Sequence, residues 1–378
     1  YGLVGSEMCI RDRSTRCSNF EDSAVEMNFS VGRLKKTIRS AVARTFHASS
    51  IYRWRHRGKV SVLMYHRVLT KDEVARYPVQ PGMYVLDTVF AEQMSFVRRN
   101  FTVLSLQELL DLWQRGEWSA HARYCVITFD DGWLDNYRHA YPVLKQLRMP
   151  ATIFLPTDYV GRNEWFWPDQ LAVLCKVIAD RKQRQEPLAA VEGVLSGFLG
   201  EDASRLVEAS TRPEQLADEI IERCKHLPIE RIRELVQALA AELRVTLPLD
   251  RVIVNWDEVR EMSRGGVSFG SHSCTHRIMT TITLDEVSEE LVRSKQVLFD
   301  QGVNFVPVYC YPNGNSDDSI EDLVKAHGYE AAVSVRMGFE GSCPENRYAI
   351  RRVGIHNDIS DTIPLFSFRL FGPQPSSM

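Results

Sequence analysis

Acidic side chains are missing from one long stretch of this 378-residue sequence: from Met27 through Lys71 there is no Asp or Glu, against eleven Lys and Arg. Long hydrophobic runs are missing too. No segment approaches the roughly 18–20 apolar residues of a membrane span. The opening shows no basic segment followed by an apolar one, so no export signal is visible and the cytoplasm is the expected site of action. Paired cysteines are also absent. The eight thiols (Cys9, Cys17, Cys125, Cys175, Cys224, Cys274, Cys310 and Cys343) are scattered, and several sit in apolar runs such as Tyr124-Cys125-Val126-Ile127. That pattern argues against a disulfide framework and for reduced, buried thiols. A net charge of only -3 gives no general affinity for nucleic acid, and none is expected as a partner.

What is present is the composition of a globular protein, 44% hydrophobic and 25% charged. Residues 1–26 are set aside as an artefact or disordered leader. Tyr1 to Arg13 resembles translated sequencing-adaptor DNA, and Met27 is a candidate start. Residues 27–57 predict a basic helix, with Val31, Leu34, Ile38, Val42 and Phe46 recurring at near-helical spacing among Arg33, Lys35, Lys36, Arg39 and Arg44. Such a helix either packs on the domain with its charges in solvent or lies on an anionic membrane. Peripheral association through residues 29–57 is carried as one expected contact.

From Lys59 the pattern alternates between strand and helix. Strands are predicted at 59–66, 101–104, 124–129, 151–155, 267–271, 305–310, 331–335 and 348–353. Helices are predicted between them at 87–99 (Asp87 as N-cap), 105–115 (Ser105 and Glu108 as a capping box), 133–147, 255–263, 284–301 and 317–327. Repeated strand-then-helix units imply parallel strands covered by helices, an α/β fold spanning 58–160 and 250–358. Residues 161–249 read as helices only, at 168–180, 213–224 and 229–243, and form a helical insertion. Residues 359–378 read as a tail.

Four predicted strand ends carry the polar residues, and in parallel α/β folds that edge is where active sites collect. Thr128-Phe129-Asp130-Asp131-Gly132 ends one strand with two carboxylates. Their repulsion needs a cation or proton to offset it, so one metal ligand and one base is the natural division of labour. Ser271-His272-Ser273-Cys274-Thr275-His276 ends another with two imidazoles four residues apart. Two His and one carboxylate, with positions left open for water, suit a catalytic divalent metal. Cys274 reads as packing rather than as a fourth ligand. Tyr65-His66-Arg67 and Tyr311-Pro312-Asn313-Gly314 end two more strands. Taken singly, each of these has a plain structural reading: a turn, a structural histidine, or a chance pair.

The three segments TFDDG (128–132), SHSCTH (271–276) and YPNG (311–314) together resemble the successive motifs of NodB-type polysaccharide deacetylases. The resemblance covers residues 58–356 apart from the insertion. It implies a distorted (β/α) barrel and metal-dependent removal of N-acetyl groups from an amino-sugar polysaccharide or glycan precursor. It also implies one divalent ion, zinc before cobalt, nickel or manganese. Carried over by position, Asp130 is the general base, and Asp131, His272 and His276 hold the metal. The usual arginine of the third motif is replaced by Cys310, leaving Arg277 or Arg352 to orient Asp130. A YPxG form occurs in the branch related to poly-N-acetylglucosamine deacetylases, where the catalytic histidine precedes TFDDG. His66 is therefore the expected general acid, and His356 the second choice. Tyr311, Pro312, Asn313 and Trp133 are the expected substrate or oxyanion contacts, with Trp165, Phe166 and Trp167 as either a sugar platform or an anchor for the insertion. An O-acyl esterase, a small-amide hydrolase and a catalytically silent carbohydrate-binding relative are the competing readings.

Overall fold

The computed structural model describes residues 37–50, 54–76, 78–210 and 212–373. The leader and the first part of the predicted basic helix lie outside them. The remainder of that helix is present as α1, residues 37–48.

Eight strands form one parallel sheet: β1 (Lys59–Tyr65), β2 (Thr102–Val103), β3 (Arg123–Phe129), β4 (Ala151–Leu155), β5 (Val267–Ser271), β6 (Phe305–Cys310), β7 (Ala331–Met337) and β8 (Ile350–Gly354). β1 pairs with β8 on one side and along its whole length with β3 on the other, so the sheet closes on itself. Seven strands make the ring. The two-residue β2 fills the space beside β3 at Tyr124 and Cys125, below the point where β4 joins it at Thr128 and Phe129. This is the expected distorted (β/α) barrel.

The ring strands β1, β3, β4 and β5 are buried on both faces along nearly their whole length, which is why their sequences are largely apolar. Alternate residues nevertheless enter different cores, because side chains alternate across a strand. Val60, Val62, Val126, Phe154, Val308 and Val333 share the cluster that fills the barrel. Leu63, Ile127, Phe129, Ile153, Leu155 and Phe269 pack outward against helices. Gly270 in β5 is required by that closeness: a Cβ there would lie 2.5 Å from the Phe154 ring and 2.9 Å from the Val308 carbonyl oxygen.

The covering helices are α2 (Asp87–Asn100), α3 (Leu106–Arg115) and α4 (Tyr141–Leu147) before the insertion. The insertion holds α5 (Trp167–Gln183), α6 (Ala189–Leu199), α7 (Pro213–Cys224) and α8 (Ile229–Leu243), packed around a core of their own that includes Leu174, Leu195, Ile220 and Leu235. After it come α9 (Trp256–Arg264), α10 (Leu284–Asp300), α11 (Asp318–Ala326) and α12 (Ile363–Phe371).

Three local expectations change. The Ser105–Glu108 capping box is formed, but Asp87 is the first helical residue and Leu86 the cap. The predicted helix 133–147 is helical from Leu134, but a wide π turn at Asn136–Ala140 interrupts it before α4, as happens where a helix is re-aimed beside a site, and Trp133 bridges to Ile253. Residues 359–378, read as a tail, carry α12, whose Phe366, Leu370 and Phe371 are fully buried in the outer barrel core. Among the described residues all six cysteines are free and five of them buried, and no helix is long and apolar enough to cross a membrane.

Candidate active site

β3 ends at Phe129, and the next residues break the alternation that would point Asp130 and Asp131 to opposite sides. Asp131 has φ +73° and Gly132 φ +67°, so the chain turns left-handed and both carboxylates face the barrel mouth. A side chain at 132 would put Cβ 2.5 Å from Leu155 Cδ2. The strain of a non-glycine left-handed residue recurs at Ser273, His276 and Asn313, all at the same mouth.

Asp130 is buried and clamped by Arg352 of β8, with Nη1 donating to Oδ1 and Nη2 to Oδ2, both at 2.7 Å. Arg352 is itself fully buried. It also donates from Nε to the Ser334 carbonyl (2.9 Å) and from Nη1 to Thr128 Oγ1 (3.2 Å). Cys310 Sγ lies 3.4 Å from Nη2, so the small thiol leaves room for a guanidinium arriving from another strand. Arg352 therefore occupies the role left open by Cys310. Arg277 is engaged elsewhere, with Glu286 (2.9 Å) and Glu290 (3.7 Å). Burial alone would raise the Asp130 carboxyl. The Arg352 charge and hydrogen bonds outweigh it and hold the group below its ordinary value.

Asp131 faces the two histidines: His272 Nε2 lies 3.2 Å and His276 Nε2 3.1 Å from its Oδ1. Trp133 Nε1 donates to Asp131 Oδ2 at 2.9 Å, with Arg67 stacked 4.2 Å from the indole and paired to Asp135. His272 Nδ1 donates to the Cys310 carbonyl (2.8 Å), which leaves Nε2 free to act as a ligand. The donor atoms of Asp131, His272 and His276 lie within 4.8 Å of one another. A carboxylate and two imidazoles aimed at one point, backed by second hydrogen bonds, fit a divalent ion of the zinc type. Asp130, His272 and Cys310 are equally close but fit poorly. Both Asp130 oxygens are taken by Arg352, and burial pushes the thiol up and keeps it neutral.

The loop carrying the histidines is held by Glu290 of α10, a residue the sequence reading missed. Its carboxylate accepts from Cys274 N (2.6 Å), Thr275 N (3.0 Å) and Thr275 Oγ1 (2.6 Å). The signal was a glutamate on the stripe Val287, Glu290, Leu291, Ser294, which is the buried face of the helix. The Cys274 thiol turns toward the Glu290 carbonyl and away from the histidines.

His66 stands at the end of β1 with Nε2 3.9 Å from Asp130 Oδ2, and it lines the cleft. His356 is paired with Asp358 and does not line it. Of the four expected substrate or oxyanion contacts, Tyr311, Pro312 and Asn313 line the cleft and Trp133 does not. Trp133 is 1% exposed, and its contact is with Asp131. Tyr311 commits its hydroxyl to the Tyr348 carbonyl, beside Pro312 and the exposed left-handed Asn313 at the rim. Of the three aromatics, Trp165 donates to the Asp250 carbonyl, and Phe166 packs among Trp133, Tyr159 and His276. Only the half-buried Trp167 lines the cleft. The cleft, about 730 Å³, is walled on its far side by α7, α8 and the turn between them.

Comparison with known proteins places this geometry. The family model described as polysaccharide deacetylase matches residues 119–185 and 235–332, leaving out the middle of the insertion. YxkH of Bacillus subtilis (strain 168), named for the same family, is 31% identical over 114 residues. That stretch is 30% of this chain and 37% of YxkH, so the chain spans about a third of that relative's length. Two solved structures share the fold. The Streptococcus pyogenes deacetylase PplD, in complex with acetate, superposes at TM-score 0.51 with 17% identity, covering 84% of this chain and 99% of PplD. IcaB from Ammonifex degensii superposes at 0.50 with 18% identity, covering 82% and 97%.

Proposed function

We propose, the barrel of this chain belonging to the polysaccharide deacetylase family, that it removes N-acetyl groups from an amino-sugar polysaccharide or glycan precursor with the help of one divalent ion, zinc first. The observation that carries the reading is an ionised, doubly clamped Asp130 beside the open Asp131–His272–His276 donor set.

When bound, the ion would polarise the amide carbonyl and acidify the attacking water. Asp130 takes the water's proton, and Arg352 fixes the plane of its carboxylate so that the accepting oxygen does not wander. His66 donates a proton to the departing sugar nitrogen, because an amide anion is too poor a leaving group. The backbone turn at Pro312–Asn313 lines the same cleft and would supply the N–H donor to the carbonyl oxygen as it gains charge, a contribution worth a few kcal/mol. Acetate, the ligand in the PplD structure, is the expected product.

Acetate release from N-acetylglucosamine oligomers, with zinc supplied, tests the reading together with metal content. About one ion per chain is expected, lost in Asp131→Ala and His272→Ala. Activity should fall about 10²–10⁴-fold in Asp130→Asn and His66→Ala. Metal-free, inactive protein under zinc would leave the silent binding relative. Near-full activity in His66→Ala would remove it as the acid.

A second contact is favoured by α1. This helix docks through Ala43, Phe46 and His47, while Ile38 (54% exposed) and Val42 (48%) point outward, and Trp54 nearby in sequence is 75% exposed. In a stretch without acidic residues, apolar side chains left in water suit an anionic membrane surface. Vesicles of anionic lipid should bind the chain more than zwitterionic ones, and Ile38→Ser with Val42→Ser should abolish the difference. Equal binding by both lipids would sink this contact.

A further inference from the structure

We propose that the outer half of the cleft is a subsite for an apolar aglycone, an alkyl or isoprenoid chain attached to the N-acetylated sugar. The inference rests on the deacetylase reading and deepens it. The floor of the cleft is the polar centre formed by His66, Asp130, Asp131, His272 and His276. Above it the walls change character. Trp167, Leu227 and Ile229 face in from the insertion, and Met83, Ile278 and Ile282 from the barrel loops. All six are partly exposed within the cleft.

Several of the charged lining residues have partners at hand: Glu222 pairs with Lys225 and Glu286 with Arg277, while Asp218 accepts from Gln80. Sugar hydroxyls call for polar partners or an aromatic face, and the aliphatic part of the wall, Leu227, Ile229, Ile278 and Ile282 beside Trp167, offers neither. A volume of about 730 Å³ is also that of sites enclosing a small molecule, typically about 300–1,000 Å³ with mostly apolar walls. The aliphatic wall and the catalytic floor line one cleft, so a chain joined to the sugar being processed can reach it. The insertion supplies half of that wall, Trp167 at the start of α5 and Leu227 and Ile229 at the turn into α8, all three packed on the insertion's own core.

Deacetylation of the methyl and octyl glycosides of N-acetylglucosamine, below the concentration at which the octyl compound forms micelles, tests this. A fully buried methylene is worth about fourfold in affinity, so three or four half-covered ones should raise kcat/KM about tenfold for the octyl compound. In the Ile229→Ser, Ile282→Ser double variant the octyl-to-methyl ratio should fall to near one. The ratio does not depend on how much active protein the variant retains. Equal kcat/KM for both glycosides in the unaltered protein would overturn the proposal while leaving the deacetylase reading intact. So would a preference for an N-octanoyl methyl glycoside, which would put the chain on the acyl side. Turnover of none would refute the deacetylase reading by itself. Calorimetry would then decide: tenfold tighter binding of octyl than methyl glycoside, lost in the double variant, supports the subsite, and equal binding overturns it.

Discussion

Replacing Arg352 with Met removes the guanidinium clamped on Asp130 while keeping most of the buried volume. The guanidinium makes five hydrogen bonds in the barrel interior, two of them to Asp130 at 2.7 Å, and both members of that pair are almost fully buried. Removing one member of a buried pair strands the other charge, at a cost of about 3–5 kcal/mol. For a domain of this size that is a fall of roughly 5–10 °C in Tm. The carboxylate also loses the fork that fixes its plane, and misplacing a reacting group by about 1 Å costs on the order of 10²-fold in rate. Arg352→Lys keeps the charge but not the fork, and should recover stability more than activity. Adding Asp130→Asn to Arg352→Met should restore part of the lost stability, since no stranded charge remains. Adding Cys310→Arg should restore part of the activity, because Cys310 Sγ lies 3.4 Å from the guanidinium it would replace. The assays are urea unfolding, zinc content and acetate release, side by side. Arg352→Met with unchanged zinc content and a kcat within twofold of the parent would refute the argument that Arg352 positions the base.

Trp133→Phe keeps the ring but removes the indole donor to Asp131, and should weaken zinc binding about 10–100-fold in competition with a chelator; unchanged affinity would mean that bond does nothing for the site. Gly270→Ala should destabilise the barrel by about 1–3 kcal/mol in urea unfolding, since the new methyl meets Phe154 and the Val308 carbonyl; a neutral result would show that β5 can shift. His56 sits against Phe339 and Phe371, and burial, helped by Arg55 and Lys59, lowers its pKa from 6.5 to about 4. The unfolded chain therefore binds this proton more readily, so the stability His56 contributes is complete above pH 6.5 and is lost as pH falls toward 4. With its partial exposure discounted, about 1–2 kcal/mol should disappear between pH 7 and pH 4 relative to His56→Phe; identical pH profiles for the two would remove the effect.

Much of the architecture was legible because it is written in short-range pattern. Strand identity follows from apolar runs, and the Ser105–Glu108 cap from two residues three apart. That the alternating units build a parallel sheet covered by helices follows from their connectivity, whereas its closure into a barrel was implied only by the family resemblance. The candidate residues at the strand ends were legible for the same reason, since the C-terminal edge of a parallel sheet is a single place. The errors were also local. Asp87 failed as a cap because the chain enters α2 through Leu86, and α12 was read as a tail because its apolar spacing came after the last strand.

What tertiary structure alone decided are the pairings of distant residues. Arg352 meets Asp130 across 222 positions of sequence, and β8 and β3 reach each other only because β1 lies between them and closes the ring. Glu290 reaches the histidine loop from a helix whose pattern marks it only as a buried polar residue. Trp133, an aromatic beside a catalytic motif, reads equally well as a sugar platform or an anchor for the insertion, and only the fold shows it buried against Asp131. The insertion becomes a wall of the cleft only where it folds back over the mouth. Sequence period encodes which face of an element is buried. Which residues meet across the closed barrel depends on register and closure, and no local pattern carries either.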